Sequence, residues 1–293
     1  MANGGLQYYL ARLNIAEKLI AINLAVFILT GLISVLLGFS TNSILYCFEL
    51  PKDFFEFLTK PWTLVTYAFF HAGIGHIFWN MLILYFTGRI FLNLFDSQRF
   101  INVYFLGVIL GGLVFLLSYN IFPTLLNTNT SLIGASAGVT AVLIFICTYI
   151  PNQEVRLFGL INIKLWYLGA FVVLVDLLQI TTGANIGGRL AHLGGAFLGY
   201  LYARQLLKGR DIGEGFSKIW TYIGNLFKPS ERKAPLKTVH RKNRGKSSKR
   251  SIDYDKETRQ KKIDAILDKI SKSGYESLSK AEKDFLFKAG KED

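Results

Sequence analysis

Four residues of this chain have the types and the spacing for acyl transfer. Ser136 stands in Gly134-Ala135-Ser136-Ala137-Gly138, a hydroxyl among small neighbours at the head of an apolar run. His192 stands in "AHLGGAFLG", and His76 and Asn80 lie four apart in "HAGIGHIFWN". A serine hydroxyl becomes an effective nucleophile when a nearby base takes its proton, and His192 can be that base. The tetrahedral intermediate then needs donors aimed at its oxyanion. His76, the Asn80 side-chain amide and the Ser136 backbone N–H are the candidates. Residues four apart share a helix face, so His76 and Asn80 point the same way. The same motifs have a plainer reading. G-x-S-x-G in an apolar helix also suits close helix packing, and the histidines and Asn80 could be polar groups satisfied by neighbouring loops.

The elements that must position these groups look like membrane helices. The chain has 293 residues, 51% of them hydrophobic, and a mean hydropathy of +0.34. Charge is sorted along it. Residues 1–207 carry 10 Lys/Arg against 7 Asp/Glu, and residues 208–293 carry 23 against 13. An apolar body with a basic tail points to a membrane, and no basic patch interleaved with aromatics marks a nucleic-acid partner. Cys47 and Cys147 have no metal-ligand spacing, and neither a disulfide nor a metal site is expected. The first apolar run begins only near Leu19, so a cleaved signal peptide is not expected either.

A hydrocarbon core of ~30 Å takes ~20 apolar residues per helix. Six runs qualify or nearly do: 19–39, 76–95, 100–119, 133–150, 165–180 and 189–207. The expected fold is therefore all-α, a polytopic bundle of six transmembrane helices over 1–207. Basic residues at Arg12, Lys18, Arg89, Arg99, Arg156, Lys164 and Arg204 place the N-terminus and the tail on the cytoplasmic side. Spans 2, 4 and 6 then run inward from the outer face, so Ser136, His192, His76 and Asn80 enter the same leaflet. Polar groups at that depth are expensive, which makes their convergence informative. Gly195 and Gly199 form a small-xxx-small pattern that lets span 6 approach span 4, and Gly134 and Gly138 keep the surroundings of Ser136 open. The aromatic-rich segment 40–75 is expected to fold at the outer interface, anchored by Trp62. Asp176, inside span 5, has three readings: a third member orienting His192, a gate residue bonded to the outer loops, or a group facing a wet cavity. It is not assigned to catalysis.

These residues resemble the rhomboid family of intramembrane serine proteases. The likeness covers residues 19–207 and rests on the H-x4-H-x3-N pattern of His71, His76 and Asn80, on "GASAG" around Ser136, and on "AHLGGAFLG" around His192. The resemblance implies a dyad of Ser136 as nucleophile and His192 as base, with His76 and Asn80 stabilising the oxyanion. It further implies that Gly195 and Gly199 bring span 6 onto span 4, that span 5 and the loop after it form a lateral gate and cap, and that no cofactor is used. The implied substrates are single-span membrane proteins cut in or beside the bilayer. Departures from the family pattern fall at Thr63, Leu92, Ala137 and Thr140, and none of them removes a reacting group. A silent rhomboid-like binder or adaptor is the alternative function. A channel or transporter would show paired broken helices or repeats, which are absent here.

Beyond residue 207 the chain changes character. Residues 208–252 read as an amphipathic segment, with Phe216, Ile219, Trp220, Ile223 and Phe227 at helical spacing, followed by a basic linker suited to anionic lipid headgroups. Residues 253–293 read as a small cytoplasmic helical hairpin, broken at Gly274 and restarted by a Ser279–Glu282 capping box. A bacterial inner membrane is the expected location. Oligomeric state and substrate identity are left open by the sequence.

Overall fold

A computed structural model describes residues 5, 8, 11–122, 124, 130–157, 161–183, 185–218, 222 and 248–289. The chain divides into two units, Met1–Lys228 and Pro229–Asp293. Of the features expected in the tail, those at 219–221 and 223–247 lie outside the described residues.

In the first unit, helix α1 (Ile15–Leu37) starts four residues earlier than its apolar run. The cause is a capping box: the Asn14 side chain accepts from the Glu17 N–H while the Glu17 carboxylate accepts from the Asn14 N–H. Segment 40–75 is folded. It holds α2 (Thr41–Leu45), strand β1 (Leu50–Pro51), α3 (Phe54–Thr59), α4 (Thr63–Thr66) and a 3-10 turn at Tyr67–Phe69. Trp62 is half exposed, and its indole N–H donates to the Cys47 carbonyl at 2.9 Å. Next come α5 (Ile74–Leu94) and α6 (Ser97–Ile121), the latter capped by Asp96, which accepts from the Arg99 N–H. Strand β2 (Ser131–Leu132) precedes α7 (Ser136–Tyr149), and strands β3 (Glu154–Leu157) and β4 (Ile161–Lys164) precede α8 (Leu165–Thr181) and α9 (Ile186–Leu207).

The chain is mostly helical, as expected, with two small antiparallel ladders added. Strand β1 pairs with β2 through Leu50↔Leu132 and Pro51↔Ser131, which ties the folded segment to the residues just ahead of Ser136. Strand β3 pairs with β4 through Val155↔Ile163 and Leu157↔Ile161. Apolar residues alternate with polar ones on both strands, the period-two pattern of a hairpin.

Helices α1, α5 and α6 are long and apolar enough to cross a membrane, by length and composition. Helices α7 and α8 are apolar but shorter, at 14 and 17 residues. Helix α9 has 22 residues but carries Arg189, His192 and Arg204.

The core of this unit is built around α7, whose every residue from 137 to 147 is buried. Helices α6 and α9 reach it through glycines. A Cβ on Gly195 would strike the Ala137 carbonyl, one on Gly199 the Ala141 carbonyl, and one on Gly111 would come within 2.6 Å of the Ala137 methyl. Backbone therefore meets backbone, the close approach that small-xxx-small patterns allow. Past Leu207 the chain stays against the unit. The Asp211 carboxylate accepts from Arg99 Nε at 3.0 Å and from the Tyr202 hydroxyl, and the Asn102 amide donates to Ser217 Oγ at 2.7 Å.

In the second unit, α10 (Ser248–Ser273) ends at Gly274, whose φ of +77° suits glycine. A 3-10 turn at Tyr275–Ser277 leads to α11 (Lys280–Ala289). The Ser279 N–H donates to the Glu282 carboxylate at 2.7 Å, and Lys269 of α10 donates to the same carboxylate at 3.0 Å.

Candidate active site

A cavity of about 480 Å³ opens between α5, α7, α8 and α9. Ser136, His192, His76 and Asn80, which come from three helices, all line it. Gly188 and Thr140 are also at its wall.

Ser136 is the first residue of α7, and the first intrahelical bond runs from the Val139 N–H to the Ala135 carbonyl. The N–H groups of Ser136, Ala137 and Gly138 therefore have no partner within the helix, and the helix dipole favours negative charge beside them. A hydroxyl at this position is set among free donors. Just before it, Gly134 has a φ of +118°, and a Cβ there would come within 2.6 Å of His76 Nε2. Glycine is thus required twice at this residue, by the backbone conformation and by the imidazole beside it. Gly138 is equally short of room, because its Cβ would meet Tyr104 and Val108 at 2.8–2.9 Å.

His76 Nδ1 accepts a long hydrogen bond, 3.4 Å, from the Ala72 N–H. This places the ring proton on Nε2, the nitrogen next to Gly134, so the ring presents a donor near Ser136. The Asn80 amide donates to the His76 carbonyl at 2.9 Å, which uses one of its two N–H groups and leaves the other. Behind this pair, His71 Nε2 accepts from the Ala135 N–H at 3.4 Å, and its ring meets that of His76 edge-on at 5.0 Å. Burial, and then His76 beside it, holds His71 down at about 4, so it is neutral at pH 7.

His192 lies on the second turn of α9. No hydrogen bond joins it to Ser136 among the described residues; the ring is held from its other nitrogen. His192 Nδ1 sits 3.1 and 3.2 Å from the two oxygens of Asp176, which is 3% exposed on α8. Arg189 Nη1 donates to the same carboxylate at 2.9 Å. The sequence singles out Asp176, while Arg189 enters there only as the first position of the sixth apolar run, 189–207. The available signal was Arg189-x-x-His192, two groups on one face of a helix, opposite a lone intramembrane carboxylate in need of a partner. Among the described residues, no three His, Cys, Asp or Glu side chains are arranged to hold a metal ion.

Residues 58–209 match the family model of the Rhomboid domain, and residues 250–289 match a family of unknown function, DUF6576. The chain is similar to RHOMBOID-like protein 12, mitochondrial, of Arabidopsis thaliana, with 34% identity over 160 residues, or 50% of this chain and 47% of that protein. It is also similar to Presenilin-associated rhomboid-like protein A, mitochondrial, of Danio rerio, with 27% identity over 55% of this chain and 39% of that protein. The chain thus spans less than half the length of the curated relatives it matches.

Proposed function

The chain belongs to the rhomboid family, and on that premise we propose that it is a serine endopeptidase that cuts single-span membrane proteins in or beside the bilayer. One observation carries the reading: Ser136, at the open end of a buried helix, lines the same cavity as His192, His76 and Asn80. In the proposed route, Ser136 Oγ attacks the substrate carbonyl carbon and its proton passes to His192 Nε2. His76 Nε2–H, the free Asn80 N–H and the Ser136 backbone N–H hold the oxyanion. His192 then returns the proton to the leaving amine, and water hydrolyses the acyl-enzyme by the same exchange.

Helices α1 and α5 to α9 of the first unit are all assigned to the membrane in this reading. The shorter α7 is tolerated because it is enclosed by protein, where polar and irregular groups can be satisfied. The basic linker meets anionic lipid on the side of the N-terminus. The expected bacterial inner membrane gains no support from the relatives, both of which carry mitochondrial names; the location is kept here as a membrane.

The lack of a Ser136–His192 hydrogen bond favours a second reading, a rhomboid-like protein that binds membrane segments without cutting them. Reaction geometry often tightens only with substrate bound, so chemistry decides between the two. A fluorophosphonate probe should label the native chain and leave Ser136→Ala unlabelled. Folded native protein that stays unlabelled would overturn the protease reading and favour the binder.

A further inference from the structure

We infer that Asp176 is a positioning residue for His192, and that Arg189 positions Asp176 in turn. The inference rests on the protease reading above. Asp176 reaches His192 Nδ1 with both oxygens, at 3.1 and 3.2 Å, and is the buried member of the pair. A carboxylate on Nδ1 keeps the ring proton there. The lone pair on Nε2 is then free to accept the Ser136 proton, and the ring cannot turn away. During the step, a bond forms from Ser136 Oγ to the carbonyl carbon, the proton moves to Nε2, and Asp176 stays ionised beside the new imidazolium. The proton later leaves with the amine, and Asp176 exchanges none.

Arg189 answers a second requirement. A buried carboxylate without a partner is costly while His192 is neutral. Arg189 Nη1 supplies that partner at 2.9 Å, from three residues before His192 on the same helix. Two side chains of α9 thus converge on one carboxylate of α8, sharing its Oδ1. A different role for the same contacts would be a clasp between α8 and α9 with no bearing on the imidazole, and the two roles are separable.

The test uses the full chain in detergent. It measures the rate of fluorophosphonate labelling and the turnover of a single-span reporter, with thermal unfolding followed for each variant. Asp176→Asn should label and turn over at least about 10-fold more slowly, with the half-saturating reporter concentration unchanged. Asp176→Glu, which restores a carboxylate, should recover part of the rate. Arg189→Gln, which leaves Asp176 on the ring, should lose less than Asp176→Asn. A clasp predicts equal losses in Asp176→Asn and Arg189→Gln, with the half-saturating concentration displaced, and that result overturns the inference. So does Asp176→Asn labelling at the native rate while Ser136→Ala stays unlabelled, an outcome that leaves the protease reading standing. An unlabelled native chain overturns both. If Asp176→Asn does not fold, Asp176→Ser takes its place: slow labelling that Glu recovers supports the inference, and native-rate labelling ends it.

Discussion

Gly195 and Gly199 set how near the helix of His192 comes to the helix of Ser136. Their missing side chains leave α9 against the carbonyls of Ala137 and Ala141. Gly195→Ala should therefore push α9 outward, cost about 1–3 kcal/mol of stability and slow probe labelling of Ser136. Gly31→Ala on α1, where a Cβ meets open space, should do neither; thermal unfolding and labelling rates check both variants. At this scale the sequence is readable where residue type alone carries meaning. A hydroxyl among small residues, two histidines and an asparagine announce their chemistry by identity and spacing. The bond from Asp176 to His192 depends on which way α8 is rotated against α9. An apolar helix of 17 residues with exposed Trp166, Tyr167 and Phe171 along it has no clear apolar stripe to fix that rotation in advance.

Short elements follow local rules that can be tested one at a time. The Ser279 N–H, then Lys269, then the Ser279 hydroxyl draw the Glu282 carboxyl down from its usual 4.5 to about 2. A carboxyl lowered by folding contributes stability above its unfolded value and loses it as the pH falls through its folded value. Protection of the amides of α11 against hydrogen exchange, corrected for intrinsic rates, should thus hold from neutral pH to 4.5 and decline toward pH 2. Glu282→Gln should lower that protection already at neutral pH. The Ser279–Glu282 box was visible as an i, i+3 pair, and the break at Gly274 as a glycine that interrupts the apolar pattern. The Asn14–Glu17 box that starts α1 follows the same rule, but it stands outside the apolar run that was used to place the helix. Strands β3 and β4 escaped for a related reason. They are four residues each, and a search for apolar runs of membrane length passes over a two-residue period.

For the molecule as a whole, the order of spans and the charge asymmetry made the body recognisable, while the end of the body was harder to place. Composition changes at residue 208, yet contacts do not, because Asp211 bonds Arg99 and Tyr202, and Gly213 and Ser217 bond Asn102. A chain ending after Lys208 should unfold at a lower temperature than one ending after Lys228. The difference should be about 1–3 kcal/mol, because Tyr202 and Arg99 lose a charged partner; parallel thermal melts of the two truncations measure it. Helix α7 is enclosed along nearly its whole length, whereas α8 buries only Leu165, Gly169 and Asp176 and turns Leu174, Leu177 and Leu178 outward. Exchanging one detergent or acyl-chain length for another therefore alters the surroundings of the helix that carries Asp176. The helix that carries Ser136 is enclosed by protein from 137 to 147 and is largely shielded from that exchange.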